Sequence, residues 1–254
     1  MVLEVRNNKK VNQLFDGWQE TLIWSCLQGV MGCLYTTSKA EPVSAMALLG
    51  DFCFLAGMAD KELVSFKPEW REQDFVIMIP QTKEWAALIE EVYGEKAKKV
   101  ERYAIKKEPD VFGRDRLQQI VNELPSGYEL KMMDKELFEC CKELDWCRDW
   151  VSQYETYEMY QRLGLGVVLL RDGEVVSGAS SYSSYQGGIE IEIDTKESYR
   201  RNGLALVCGA KLILECLERG WYPSWDAQNL GSVALAEKLG YHFERAYVAY
   251  EIEW

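Results

Sequence analysis

The sequence predicts an α+β fold built in two parts, and three features carry that reading. Ile189, Ile191 and Ile193 alternate with Glu190, Glu192 and Asp194, the period-two pattern of a half-buried strand with one greasy and one acidic face. Over 204–219 the charges Lys211, Glu215, Glu218 and Arg219 fall on one helical stripe while nearly everything else is apolar, so this helix is mostly buried. Between the halves, Pro125-Ser126-Gly127 breaks the chain just before a strand-like segment at 128–132. The junction is placed there, giving domains 1–125 and 126–254 of the 254-residue chain, each long enough to enclose a core.

In the first part, an amphipathic stretch at 11–24 precedes short strands at 51–55 and 74–79. The apolar run 22–35 falls short of the ~20 residues that span a bilayer and contains Gln28, so it is read as a core helix and no membrane segment is expected. Thr82 can cap a helix that carries Trp85, Leu88, Ile89 and Val92 on one face and stops at Gly94, before a strand at 100–105. In the second part, a helical region at 135–150 leads to strands at 166–170 and 175–182 joined by Asp172-Gly173, a hairpin signal. Gly187-Gly188 turns the chain into the alternating strand. After the buried helix, Gly220 stops it, 225–227 reads as a short strand, 233–239 as a helix ending at Gly240, and 241–252 as a strand pair or one long strand.

Composition narrows the function. A net charge of -12 opposes binding to a phosphate backbone, and no nucleic-acid partner is expected. The basic cluster Lys96, Lys98, Lys99, Arg102, Lys106 and Lys107 is read as a solvated face. Eight cysteines lie scattered in apolar segments without Cys-x-x-Cys or paired Cys/His spacing, so free thiols and no metal are expected. The single histidine, His242, sets Ser-His-Asp and Cys-His mechanisms aside. The first ten residues lack the basic start and apolar run of a secretory signal, and a cytoplasmic location is expected. Gly164-Leu165-Gly166 opens a strand and has no third glycine, so it is read as a turn.

Chemistry concentrates where the acidic strand turns into the buried helix, at Arg200-Arg201-Asn202-Gly203-Leu204-Ala205. A helix N-terminus presents unpaired amides and a positive dipole end, and a glycine beside it lets a phosphate approach the backbone. Taken alone, this pattern is more often only a turn with a solvated basic edge.

Arg-x-x-Gly-x-Ala after an alternating strand resembles the cofactor motif of the GNAT N-acetyltransferase superfamily. Downstream, Trp225-Asp226-Ala227-Gln228-Asn229 followed by Ser232, Leu235, Lys238, Gly240 and Tyr241 resembles that family's next strand, short helix and Lys-x-Gly-aromatic ending. The resemblance covers the second half of the chain. It implies for that half a mixed, mostly antiparallel central sheet flanked by helices, which the smaller α+β domain of the first half precedes. It also implies acetyl-CoA as cosubstrate, in a cleft where two strands splay. Pantetheine would lie beside the backbone of Ile193, Asp194 and Thr195. The pyrophosphate would rest at Arg200, Arg201, Asn202, Gly203, Leu204 and Ala205. Asn229 would help to hold the pantetheine arm, although an Asn before a helix is equally an N-cap, and Ser232 is counted with it among the cofactor-binding residues.

Acetyl transfer to an amine requires a base beside the thioester. Glu192 is the first candidate and Glu190 the second, with Asp194 in reserve; either glutamate is also readable as the solvent face of a strand. Many family members carry a tyrosine where this chain has Ala236, which leaves the general acid unassigned between Ser232, Tyr241 and none. The whole chain further resembles a bacterial subfamily that includes zwittermicin A resistance-type proteins, which implies a small-molecule amine as acceptor, with residues of the first domain closing one side of the acceptor site. A homodimer is one assembly the sequence allows. The rival readings are a non-catalytic acyl-CoA or CoA sensor, motivated by Ala236, and an interaction protein on a degenerate fold.

Overall fold

The structure is a computed structural model describing residues 1–6 and 8–254. The first half runs β1 (Leu3–Val5), α1 (Lys9–Leu14), α2 (Thr21–Gln28), β2 (Cys33–Thr36), β3 (Ser44–Leu49), β4 (Phe52–Gly57), α3 (Lys61–Val64), β5 (Phe75–Pro80), α4 (Lys83–Tyr93) and β6 (Lys98–Ile105). Then follow α5 (Arg114–Asn122), β7 (Tyr128–Met132), α6 (Lys135–Glu143), α7 (Tyr157–Leu163), β8 (Gly166–Arg171), β9 (Glu174–Tyr185) and β10 (Gly188–Thr195). The chain ends with α8 (Leu204–Glu218), β11 (Tyr222–Ser224), β12 (Asp226–Ala227), α9 (Leu230–Leu239) and β13 (Phe243–Glu253). Among the described residues no helix is long and apolar enough to cross a membrane.

Two compact units emerge: Met1–Arg102 with Ala246–Trp254, and Tyr103–Arg245. The sequence-expected junction at 125/126 therefore falls inside the second unit. The reason is α5, whose Leu117 enters the same core as α8, so that Pro125-Ser126-Gly127 is a turn from α5 into β7, with Gly127 at φ 86°.

In the first unit the strands run β1-β2-β3-β4-β5-β13, antiparallel except for β4–β5, whose parallel pairing follows from the crossover through α3. Trp85 and Ile89 of α4 pack into the core beside Met46, Leu55 and Met78. The run 22–35 is not one helix. Gly29 leaves α2 in the left-handed region (φ 66°), and Gly32 (φ 76°), where a side chain would meet Cys26 Sγ and the Leu48 carbonyl, turns the chain into β2. The stretch 11–24 is likewise split, by Gly17 at φ 81° between α1 and α2. Arg102 departs from the solvated cluster: it is buried, with its guanidinium 4.8 Å above the Phe52 ring.

In the second unit the sheet order is β11-β10-β9-β8-β7, antiparallel apart from β10–β11. Asp172 (φ 52°) and Gly173 (φ 82°) make the β8–β9 turn, both in the left-handed region that a tight hairpin requires. Ile189 and Ile191 pack with Val207, Cys208 and Ile213 of α8 in the main core. On the polar stripe of α8, Lys211 and Arg219 each pair with Glu215, both at 2.6 Å. β13 is one continuous strand.

Candidate functional site

β10 is paired with β9 along its whole length, but β11 accompanies it only at Gly188↔Tyr222, Ile189↔Pro223 and Glu190↔Ser224. Past Ser224 the chain leaves β10, and Asp226 and Ala227 pair with Ala104 and Tyr103 of β6 instead. Among the described residues, the β10 backbone from Ile191 to Thr195 therefore has no strand partner on its β11 side. An edge of this kind presents N–H and C=O groups to any extended chain that carries amides.

The irregularity in this region lies on the partner strand. Glu190 faces Ser183 and Ile191 faces Ser181, so Tyr182 of β9 is the extra residue and the alternation of β10 is unbroken. Glu190, Glu192 and Asp194 thus share one face, while Ile193 points the other way, its Cδ1 close against Gly209 of α8. Glu190 is buried at 5% exposure; Glu192 and Asp194 are half-buried. Burial pushes the Asp194 carboxyl up to about 6, with Arg200 opposing the shift and Asp149 adding to it. Burial, and to a lesser degree the Glu190 charge, raise the phenols of Tyr185, Tyr222 and Tyr241.

β10 leads into the turn before α8. Arg200 Nε donates to the Thr195 carbonyl at 3.2 Å, and Asn202 Nδ2 donates to the Tyr199 carbonyl at 3.1 Å, which fixes the turn to the strand end. Arg201 (φ 63°) and Gly203 (φ 77°) both lie in the left-handed region, a conformation uncommon for arginine. Gly203 is the N-cap of α8; no side chain caps the helix and its first turn holds no acid. Arg200, Arg201, Asn202 and Gly203 are exposed, Ala205 is half-buried and Leu204 is anchored in the core.

The other arm runs from β12 into α9. Asn229 caps this helix, its Oδ1 accepting from the Ser232 amide at 3.0 Å, and the Ser232 hydroxyl accepts from Trp225 Nε1 at 3.0 Å. Ala236 is fully buried in the core. Tyr241 is buried too, its hydroxyl donating to the Pro223 carbonyl at 2.6 Å. His242 Nδ1 lies 2.7 Å from the Glu108 carboxylate. The structure therefore gathers the predicted β10 and α8 residues along one arm and Asn229 with Ser232 on the other. Ser183 and Ser224, which flank Glu190 in the sheet, escape sequence reading because only the register of three strands brings them together.

Comparison with known proteins bears on this arrangement. The chain resembles the uncharacterized N-acetyltransferase YdfB of Bacillus subtilis (strain 168), with 25% identity over 98% of each chain. It is also similar to a crystal structure of a GCN5-related N-acetyltransferase-like protein from Streptococcus suis, with 48% identity, a TM-score of 0.92, and coverage of 97% of this chain and 98% of that one. A GCN5-related N-acetyltransferase from Sphaerobacter thermophilus, at 14% identity and a TM-score of 0.59 over all of this chain and 95% of its own, shares the fold. The GNAT acetyltransferase model matches residues 12–250, a span that takes in most of both compact units, and the chain belongs to the GNAT acetyltransferase family.

Proposed function

We propose that the protein transfers an acetyl group from acetyl-CoA to a primary amine of a small molecule. The observation that carries this reading is the continuity of the open β10 edge, from Ile191 to Thr195, with the uncapped N-terminus of α8 after Arg200-Arg201-Asn202-Gly203.

The residues fit the cosubstrate. The backbone of Ile193, Asp194 and Thr195 offers the alternating donors and acceptors that an amide-bearing pantetheine arm requires. The left-handed Gly203 leaves open space where a side chain would stand, and the amides of Leu204 and Ala205 with the two arginines would hold the pyrophosphate. Acetyl-CoA supplies the activated acyl group. Asn229 Oδ1 is engaged as the cap of α9, so its amide nitrogen is the group it has to offer.

The chain's own part in the reaction is to orient the amine and take its proton. Glu192 lies just past the last β10–β11 pair, beside the open edge, and is assigned as the base, directly or through one water. The amine nitrogen forms the new bond to the carbonyl carbon as the carbon–sulfur bond breaks, and the proton leaves to Glu192. Ser232 accepts from Trp225 and retains its own hydroxyl proton, whereas Tyr241 donates to Pro223. A thiolate is a good enough leaving group to depart without a dedicated acid.

The test is release of free thiol from acetyl-CoA across a panel of primary amines, with mass spectrometry of the acceptor. Amine-dependent thiol release with an acceptor heavier by one acetyl group supports the proposal. The buried Ala236 motivates a second reading, a sensor that binds acyl-CoA without turnover. Saturable binding with no thiol release under any amine would select it.

A further inference from the structure

β7 stands at one end of the second sheet, and among the described residues its outer side has no strand partner. The β8 register decides which groups that side presents. Met132 stands opposite Val167, and the Met133 amide donates to the Gly166 carbonyl at 2.8 Å, so the ladder bonds to β8 belong to Glu129, Lys131 and Met133. The N–H and C=O groups of Tyr128, Leu130 and Met132 therefore point outwards.

An edge of this kind is a template for another strand, and proteins that keep it unpaired guard it with charged side chains, proline or a bulge. β7 contains no proline and pairs with β8 without a register shift, and its charges are of opposite sign. Tyr128 and Leu130 pack against the core that holds α8, so Glu129 and Lys131 share the other face of the strand. Their side chains are 62% and 44% exposed and lie 3.2 Å apart. Met132, on the same face as Leu130, is 36% exposed.

We infer that β7 is the contact strand of a homodimer, in which two copies pair it antiparallel about a two-fold axis at Leu130 and join their sheets edge to edge. Outward-pointing groups have to meet outward-pointing groups, which leaves few registers. Centred on Glu129, the pairing sets that carboxylate against the partner's Glu129; centred on Lys131, it sets two ammonium groups together. Like charges directly opposite are destabilising. Registers further out shorten the ladder. Centred on Leu130, Glu129 faces the partner's Lys131 and Lys131 faces the partner's Glu129, in the pair type whose Cα atoms approach to about 4.5 Å. In that register Leu130 exchanges both N–H···O bonds with the partner's Leu130, and Tyr128 does so with the partner's Met132. The two-fold axis repeats each ion pair. The end strand of the first sheet has no such match, because β1 centred on its middle residue would oppose Glu4 to the partner's Glu4. A five-residue edge is short against the ~800 Å² per partner of a standard interface, so the dimer is dissociable and set by concentration.

The test uses the full-length protein in sedimentation equilibrium up to roughly 1 mM, with amide hydrogen exchange followed by NMR. Wild type is expected to show a monomer–dimer equilibrium. Raising its concentration should slow exchange at Tyr128, Leu130 and Met132, in alternation with Glu129 and Lys131, whose amides already bond to β8. Glu129→Lys and Lys131→Glu should each weaken association by about tenfold, because each turns two attractive contacts into repulsive ones. The double variant, which exchanges the two charges, should return to within about threefold of wild type. Mixing the two single variants, one all basic on this face and the other all acidic, should also restore association and shows that both are folded.

A wild type that stays monomeric at roughly 1 mM overturns the inference. So does a dimer that both single reversals leave at wild-type affinity, or one whose concentration-dependent protection lies outside β7. Association lost in the single variants and restored neither by the double exchange nor by mixing overturns it as well, because the charges then do not face each other across the axis.

Discussion

Glu190 and Ser224 are the last residues at which β10 and β11 run side by side, and everything functional in the proposed site radiates from that pair. On the β10 side, the edge stays open to Thr195 and the chain turns into the N-terminus of α8; on the β11 side it moves across to β6 and then into α9. The parting of the two strands thus leaves the β10 backbone without a β11 partner on one arm, with acidic side chains on one face of that arm.

Gly203→Asp tests the phosphate end. The position has φ 77° and no heavy atom within 4 Å of an added Cβ, so the fold should persist with a loss of about 1 kcal/mol. A carboxylate there would face the pyrophosphate, and acetyl-CoA affinity should drop by on the order of 100-fold. Gly203→Asn, nearly the same shape without the charge, should lose much less. Calorimetric titration of both variants reads the difference, and equal affinities for Gly203→Asp and wild type would remove the phosphate from this turn.

Glu192→Gln tests the base. The variant should keep its acetyl-CoA affinity while kcat falls by about 10²–10⁴ and the acidic limb of the pH–rate profile disappears. Steady-state kinetics over a pH series measures this. A kcat close to that of wild type would pass the role to Glu190 or Asp194, its neighbours on the same strand face.

Asp194 makes stability depend on pH. Its folded carboxyl is pushed up to about 6, chiefly by burial, above the ordinary carboxyl near 3.9 of an unfolded chain. Between these values the folded state holds the proton more tightly, so the contribution to stability is full below about 3.9 and is lost as pH rises through 6. Asp194→Asn should therefore match wild type at low pH and exceed it at pH ~8 by on the order of 1–2 kcal/mol, after allowance for screening of a half-exposed group. Urea unfolding at the two pH values provides the comparison; a variant less stable than wild type at the higher pH contradicts the assignment.

Gly178→Ala tests the packing beneath the carboxylate face. A Cβ there would stand 2.5 Å from Cη2 of the fully buried Trp150 and 2.9 Å from the Val167 carbonyl. Neither neighbour is the loose end of a flexible chain, and the expected loss is about 3 kcal/mol, read as a fall of roughly 6–12 °C in Tm. Gly173→Ala, which meets nothing within 4 Å, is the comparison for left-handed strain alone.

Much of this architecture was legible in the sequence because its signals were local. Alternating isoleucines marked β10, the stripe of Lys211, Glu215 and Arg219 marked α8, and Gly94, Gly220 and Gly240 marked helix ends. What escaped depended on partners distant in the chain. The run 22–35 is mostly apolar, with Ser25 and Gln28 its polar side chains, so only Gly29 and Gly32 tell helix from strand within it. Leu117, Ile120 and Val121 of α5, with Leu124 just beyond it, do stand at helical spacing and pack against the α8 core, but nothing local says which core they join, and the turn at 125–127 passed for a domain junction. Ser183 and Ser224 are ordinary serines until strand register sets them beside Glu190. Likewise, the Asp194 shift arises from burial, which no spacing encodes.

The most direct test of the central claim is calorimetric titration of the wild-type protein with acetyl-CoA, with CoA and dephospho-CoA alongside. The account predicts saturable one-to-one binding of acetyl-CoA and CoA, lost in Gly203→Asp, with dephospho-CoA showing how far recognition extends to the nucleotide end. An absence of binding at millimolar acetyl-CoA would contradict it, leaving a GNAT fold whose open β10 edge beyond Glu190 and Ser224 serves some other ligand.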